Sequence, residues 1–132
     1  MRVLVTGGRD FANRSCVWSA LAMLLPVQPG RVLIHGACPT GADAHADAWA
    51  TYLNARIVNI ENVITIECFP ANWGRDGKAA GPIRNSRMLA EGKPDIVLAF
   101  PGGRGTADMV RKAKAAGVMV LEVTPAKQVP RG

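Results

Sequence analysis

Asp95-Ile96-Val97-Leu98-Ala99-Phe100-Pro101-Gly102-Gly103-Arg104-Gly105-Thr106 decides the fold. Ile96 to Phe100 is an unbroken apolar run of strand length, the pattern of a strand buried on both faces. Pro101 to Gly105 cannot continue it, and three glycines crowd this turn. Thr106 then opens a helix that runs to about Ala116 and stops at Gly117. Val118 to Val123 reads as the next strand. A strand, a glycine-rich turn, a helix and a further strand make a βαβ unit, which asks for parallel pairing through a right-handed crossover.

Working outward, the same alternation recurs. Arg2 to Thr6 is a short β-rich run ending at Gly7-Gly8. Asn13 offers an N-cap for a helix of about 12 residues ending near Leu25, with Val17, Leu21, Leu24 and Leu25 at helical spacing. Arg31 to His35 is the second strand. An Ala-rich helix follows from about Ala42 to Leu53. Ile64 to Phe69 reads as the third strand, while Arg56 to Ile60 fits either another strand or an extension of the preceding helix. Pro70 to Gly81 lacks periodicity and reads as a loop of about a dozen residues, long enough to carry function. Pro82 suits the first turn of a helix ending near Glu91. The expectation is an α/β, Rossmann-like three-layer sandwich. About five mostly parallel strands stand in the order 3-2-1-4-5, with helices on both faces. Residues 1–123 form one domain and residues 124–132 a frayed C-terminal tail.

Composition narrows the classes. A chain of 132 residues with 48% hydrophobic content can bury a core without disulfides or metal. No apolar run is long enough to span a bilayer, and the start of the chain lacks a signal-peptide layout, so a cytoplasmic protein is expected. Cys16, Cys38 and Cys68 are odd in number and widely spaced, matching no zinc or redox motif. Cys16 and Cys68 read as core thiols and Cys38 as a loop thiol. The net charge of +6 fits either nucleic-acid binding or a few arginines focused on a small anion. The charge is scattered, and three Trp, three Phe and one Tyr make a poor stacking platform for single strands.

Three glycine-bearing turns follow strands. They are Thr6-Gly7-Gly8-Arg9-Asp10-Phe11, His35-Gly36-Ala37-Cys38-Pro39-Thr40-Gly41-Ala42-Asp43, and Pro101-Gly102-Gly103-Arg104-Gly105-Thr106. Lacking a Cβ, glycine lets backbone approach a ligand, and the free N–H groups of the next helix start favour an anion. The second turn has the Gly-x4-Gly spacing of a P-loop, but Ala42-Asp43 replaces Lys-Ser/Thr, so an ATPase of that type is rejected. Gly7-Gly8 does not complete a dinucleotide fingerprint.

Around these turns stand the candidate side chains. Arg9 and Arg84 suit phosphate as bidentate donors, with Arg87 on the face of Arg84. Asp10 suits either a ribose hydroxyl or a turn cap. Asp43 suits either a ligand hydroxyl or the helix start at which it lies. Asn85 can donate and accept, and Trp73 suits a base or a cover. His35 reads as a structural histidine or a ligand contact. No Ser-His-Asp order and no metal-ligand cluster is legible, so neither metal nor cofactor is expected beyond a nucleotide-like ligand.

With these residues in view, the chain resembles the SLOG superfamily and, more narrowly, its small YspA/YpsA-related members. The matching segments are Thr6 to Phe11, Gly41-Ala42-Asp43 with Trp49-Ala50, Phe69 to Trp73, Ala80 to Asn85 with Met88, and Ala99 to Val110. The resemblance implies a Rossmann-like domain that binds nucleotides or nucleotide-derived, ADP-ribose-like ligands through the three turns. It also implies a role in sensing or sequestering a signal nucleotide, and a homo-oligomer. Related LOG-type phosphoribohydrolases carry Pro-Gly-Gly-x-Gly-Thr-x-x-Glu. Met109 occupies the Glu position here, and Asp108 points about 100° away on the helix. A hydrolase splitting an N-glycosidic or phosphoester bond is the alternative, with Asp43, Arg84 and Asp108 as catalytic candidates. Single-stranded nucleic-acid binding is the third reading.

Overall fold

The computed structural model describes residues 1–125, so all but two residues of the expected tail lie outside the described residues. Five parallel strands form one sheet in the order β3-β2-β1-β4-β5, as the alternation implies. They are β1 (Arg2–Thr6), β2 (Val32–His35), β3 (Thr65–Cys68), β4 (Ile96–Ala99) and β5 (Met119–Glu122). The helices are α1 (Arg14–Leu24), α2 (Gly41–Asn54), α3 (Trp73–Asp76), α4 (Ala80–Gly92) and α5 (Arg104–Ala115).

Strand periodicity explains the layers. Successive side chains leave a strand on opposite faces. Val3 and Val5 of β1 join Leu33, Ile96 and Leu98 in a core beneath α1 and α2, with Leu21, Ala46 and Trp49. Leu4 joins Ile34 and Val97 on the other face, against Met88 of α4 and Met109 and Ala113 of α5. Ala42, Ala46 and Ala50 are all fully buried. They share one face of α2 at i, i+4 spacing and let that helix seat close to the sheet.

Two helices start two residues earlier than read, α4 at Ala80 rather than Pro82 and α5 at Arg104 rather than Thr106, and the edges and connections differ from the sequence reading in three places. Cys68 is exposed and Cys16 half-buried. Cys68 lies on β3, which has a neighbour on one side only. Residues 55–63 are neither strand nor helix extension. A 3-10 turn at Ile60–Asn62 is capped by Asn59, and the Asn54 side chain pairs with both backbone groups of Ile64, at 2.8 and 2.9 Å. The buried Arg31 guanidinium donates to Leu25 O and Asn62 O, tying this segment to the turn after α1. Third, the expected long loop contains α3, capped by Asn72, and a 3-10 turn at Gly77–Ala79 that leads straight into α4. Single capped turns are too short to show a 3.6-residue period. α1 begins as expected, with Asn13 Oδ1 accepting from Cys16 N at 3.0 Å.

The chain runs from β1 outward through β2 to β3, then returns to place β4 on the other side of β1. The switch point therefore lies between the turns after β1 and β4, where sheets of this type open a crevice.

Candidate functional site

The three glycine-bearing turns meet at that crevice. Gly8 N donates to Pro101 O at 2.9 Å, and Ala42 N donates to Gly8 O at 3.2 Å, so the β1 turn is stitched to both others. Much of the glycine content serves this stitching. A Cβ at Gly102 would strike Thr106 Oγ1 and come within 2.6 Å of Gly8 N. Gly41 has φ +78°, and a Cβ there would overlap Gly8 O and lie 2.7 Å from Arg9 backbone atoms. Gly103 and Gly105, by contrast, have nothing within 4 Å of a built Cβ.

Beside them opens a cavity of about 500 Å³. Among the residues singled out from sequence, Gly7, Arg9, Asp43, Trp73, Arg84, Asn85, Gly103, Arg104, Gly105, Thr106 and Asp108 line it. Gly8, Asp10, Gly36, Gly41, Pro101 and Gly102 do not line it; Gly8, Gly36 and Gly41 are buried, Asp10 is exposed, and Pro101 and Gly102 line a separate hollow. Arg87 is turned away onto Glu91 at 2.8 Å. Lys78 also lines the cavity and was not singled out from sequence, because it sits in the segment read as an aperiodic loop. A larger hollow of about 700 Å³ lies across α5, against β5. It holds none of Arg9, Asp43 or Arg84, and its Lys114 and Arg111 are already ion-paired, so it offers an anion less.

Positioning of the polar groups is cooperative. Arg84 Nη1 donates to Gly36 O at 2.6 Å, and its Nε donates to Asn85 Oδ1 at 3.0 Å. A Cβ at Gly36 would collide with this guanidinium. Asn85, itself buried, donates to Gly105 O at 3.1 Å and to Asp108 Oδ2 at 3.0 Å. Its side chain is thereby spent on holding α4 to α5. Asp108 also meets Arg111 at 2.7 Å and Lys112 at 3.0 Å. Burial pushes its carboxyl up, but the hydrogen bonds from Asn85 and Lys112 and the charges of Lys112 and Arg111 outweigh this, and it titrates below the usual range. Met109, at the position of the LOG-type Glu, is wholly buried in the core.

Asp43 is the reverse case. It is buried, and Gly36 N and Cys38 N donate to its Oδ2 at 3.2 and 3.3 Å. No protein donor among the described residues reaches Oδ1. Burial pushes its carboxyl above the usual range, against the opposing effects of His35, the Cys38 N–H, Arg84 and the Gly36 N–H. At the cavity mouth the Arg9 guanidinium lies over the Trp73 ring, 5.4 Å from its centroid. No side chain caps α5 at Gly103, and the first-turn amides of Arg104, Gly105 and Thr106 have no intrahelical acceptor.

His35, Asp47 and Cys68 gather outside this cavity, their ligand-type atoms within 4.8 Å of one another. Ala37 N donates to His35 Nδ1 at 3.0 Å, which places the ring proton on Nε2, facing Asp47 Oδ2 at 2.7 Å. A metal needs that nitrogen unprotonated, so the cluster reads as a hydrogen-bonded brace behind the β2 turn. No helix among the described residues is long and apolar enough to cross a membrane.

Residues 1–75 match the family described as "YAcAr: YspA, cpYpsA-related SLOG family". The matched segment carries the β1 and β2 turns and Trp73. Over 123 residues the chain is 42% identical to the "Gene 61 protein" of Mycobacterium phage D29, a match covering 91% of this chain and 94% of the relative. Motifs, strand order and sequence match agree, and the chain belongs to the YspA, cpYpsA-related SLOG family.

Proposed function

We propose that this protein binds a nucleotide or nucleotide-derived, ADP-ribose-like ligand in the cavity between the three turns, as a sensor or sequestering protein. The observation that carries the reading is the uncapped start of α5, open at Gly103 and Gly105, in one cavity with Arg9, Arg84 and the buried Asp43. The amides at the start of α5 hold a phosphate. Arg84, fixed by Gly36 and Asn85, supplies charge at little orientational cost. Asp43 Oδ1 accepts from a ribose hydroxyl, and Trp73 with Arg9 covers the base. Asp10 and Asn85 make no direct contact in this arrangement. Titration calorimetry with nucleoside monophosphates, ADP, ADP-ribose and cyclic nucleotides tests it. Saturable binding that Gly103→Asp removes is expected; absence of binding by every compound overturns it.

One observation favours the hydrolase as the second reading: Asp43 is a buried carboxyl whose proton is held above the usual range beside the sugar position. Asp108, engaged by three donors, is unsuited to proton transfer. Chromatography of the same nucleotides after incubation decides. Release of free base that Asp43→Asn abolishes establishes turnover, and a rate equal to buffer removes it.

A further inference from the structure

The segment between α2 and β3 is held in a fixed shape, yet it points apolar side chains at solvent. Val58 is 102% exposed and Ile60 83%. Single exposed apolar residues are ordinary, and connecting loops are usually mobile. This segment is neither sparsely apolar nor loose. The Asn54 amide brackets both backbone groups of Ile64. Asn59 Oδ1 accepts from Glu61 N at 3.0 Å, and Val63 N donates to Ile60 O at 3.2 Å. The Arg31 guanidinium, 2% exposed, donates to Asn62 O but leaves its Nε without a partner among the described residues. A buried donor left unpaired costs free energy, so this shape is kept at a cost. Apolar groups on a prearranged backbone lose little entropy when they dock.

Position and charge say what docks there. α2 runs back from the crevice, so residues 55–63 lie at the amino end of the strands, opposite the three turns. In Arg56-Ile57-Val58-Asn59-Ile60-Glu61 the two charges have opposite sign and stand at the two ends. Arg56 lies over the Tyr52 ring, 3.6 Å from its centroid, and donates to Tyr52 O at 2.9 Å. Neither Arg56 nor Glu61 makes an ion pair among the described residues. Turned about a two-fold axis between Val58 and Asn59, the segment matches itself. Arg56 of each copy meets Glu61 of the other, with Val58 and Ile60 of both copies between the two ion pairs. A uniformly acidic or basic partner would meet one of these charges with its own sign.

We infer that two copies of this chain pair through Arg56 to Glu61 about a two-fold axis, leaving both crevices open at the far ends. The homo-oligomer expected from sequence has no surface assigned to it, and this segment supplies one. Six residues a side make a small contact, so the pair is weak and concentration-dependent.

The test is sedimentation velocity on the full chain from about 10 to 500 µM. Arg56, Val58, Ile60 and Glu61 are all exposed, so substitutions there leave the fold intact, which thermal melting checks. The wild type should rise toward twice the chain mass with concentration. Glu61→Arg sets like charges face to face and is expected to weaken association about tenfold or more. Adding Arg56→Glu restores opposite charges, and affinity returns to within about threefold of wild type. Val58→Ser with Ile60→Ser leaves a monomer throughout. A wild type that stays monomeric at the highest concentration overturns the inference. So does a dimer that ignores Glu61→Arg, which pairs by another face. A dimer weakened by Glu61→Arg but not restored by the charge swap also overturns it, because the segment then docks on a different surface.

Discussion

The turn after β2 and the turn after β4 look alike in sequence and do opposite things in the molecule. Each carries glycines between a buried strand and a helix. In the β2 turn the space beside the glycines is full: Gly36 is pressed by Arg84 and Gly41 by the Gly8–Arg9 backbone. In the β4 turn, Gly102 packs in the same way, but Gly103 and Gly105 face open space next to unpaired amides. Glycine thus marks two different situations, backbone packed against protein and backbone left open beside free amides. Only the second leaves room for a side chain.

That contrast is most exposed to failure at Gly41 and Gly103. Gly41→Ala puts a Cβ into the Gly8 carbonyl at a left-handed backbone position. It is expected to cost about 3 kcal/mol or more in chemical denaturation, or to prevent folding. A loss below about 1 kcal/mol would mean that the turns are not locked together as described. Gly103→Asp should leave stability unchanged or raise it by about 1 kcal/mol, because Asp is a good N-cap and α5 has none. Its carboxylate then occupies the anion position, and nucleotide affinity falls more than about tenfold. Thermal melting and calorimetry on the same sample separate these two effects.

The carboxylates of the two helices sharpen the comparison through pH. Asp108, after the β4 turn, has a lowered pKa. Its stabilisation is present above the unfolded value of about 3.9 and is lost as pH falls through the folded value. Asp43, after the β2 turn, has a raised pKa, so its stability contribution is full below about 3.9 and declines as pH rises through the folded value. Denaturation series should show the gap between wild type and Asp108→Asn closing toward acid. The wild type should lose ground to Asp43→Asn as pH rises. Slopes of the same sign for both variants would contradict the assignment. The smallest effect lies at Ala37, a non-glycine residue at φ +59°. Ala37→Gly should raise stability by up to about 1 kcal/mol, since relief of the left-handed strain exceeds the entropy of the added glycine.

Most of the fold was legible because its signals are local and repeated. Val3-Leu4-Val5, Leu33-Ile34 and Val97-Leu98 are apolar runs at strand length, each followed by glycine and a periodic helix. The segment around Val58 and Ile60 was not legible, because these apolar residues are almost fully exposed and their order depends on Asn54 and Arg31, distant polar clamps that no periodicity reveals. The turn residues that line the cavity were legible as motifs. The packing role of Gly41 and Gly102 was not, since it depends on which turns meet. Lys78 was missed for a related reason: α3 and the 3-10 turn bring it to the mouth, and neither is long enough to show a period. Asp10 and Asn85 were legible by type and proximity; Asp10 is exposed and does not line the cavity, while Asn85 lines it with its amide engaged by Arg84, Gly105 and Asp108.

The most direct test is a ¹H–¹⁵N titration of the wild-type protein with ADP. The largest shifts should fall on the amides of Gly7 and Gly105 and on the indole N–H of Trp73. Shifts confined to Val110, Lys114, Val123 and Thr124, on the far side of α5, would contradict the assignment of the ligand to the cavity between the three turns.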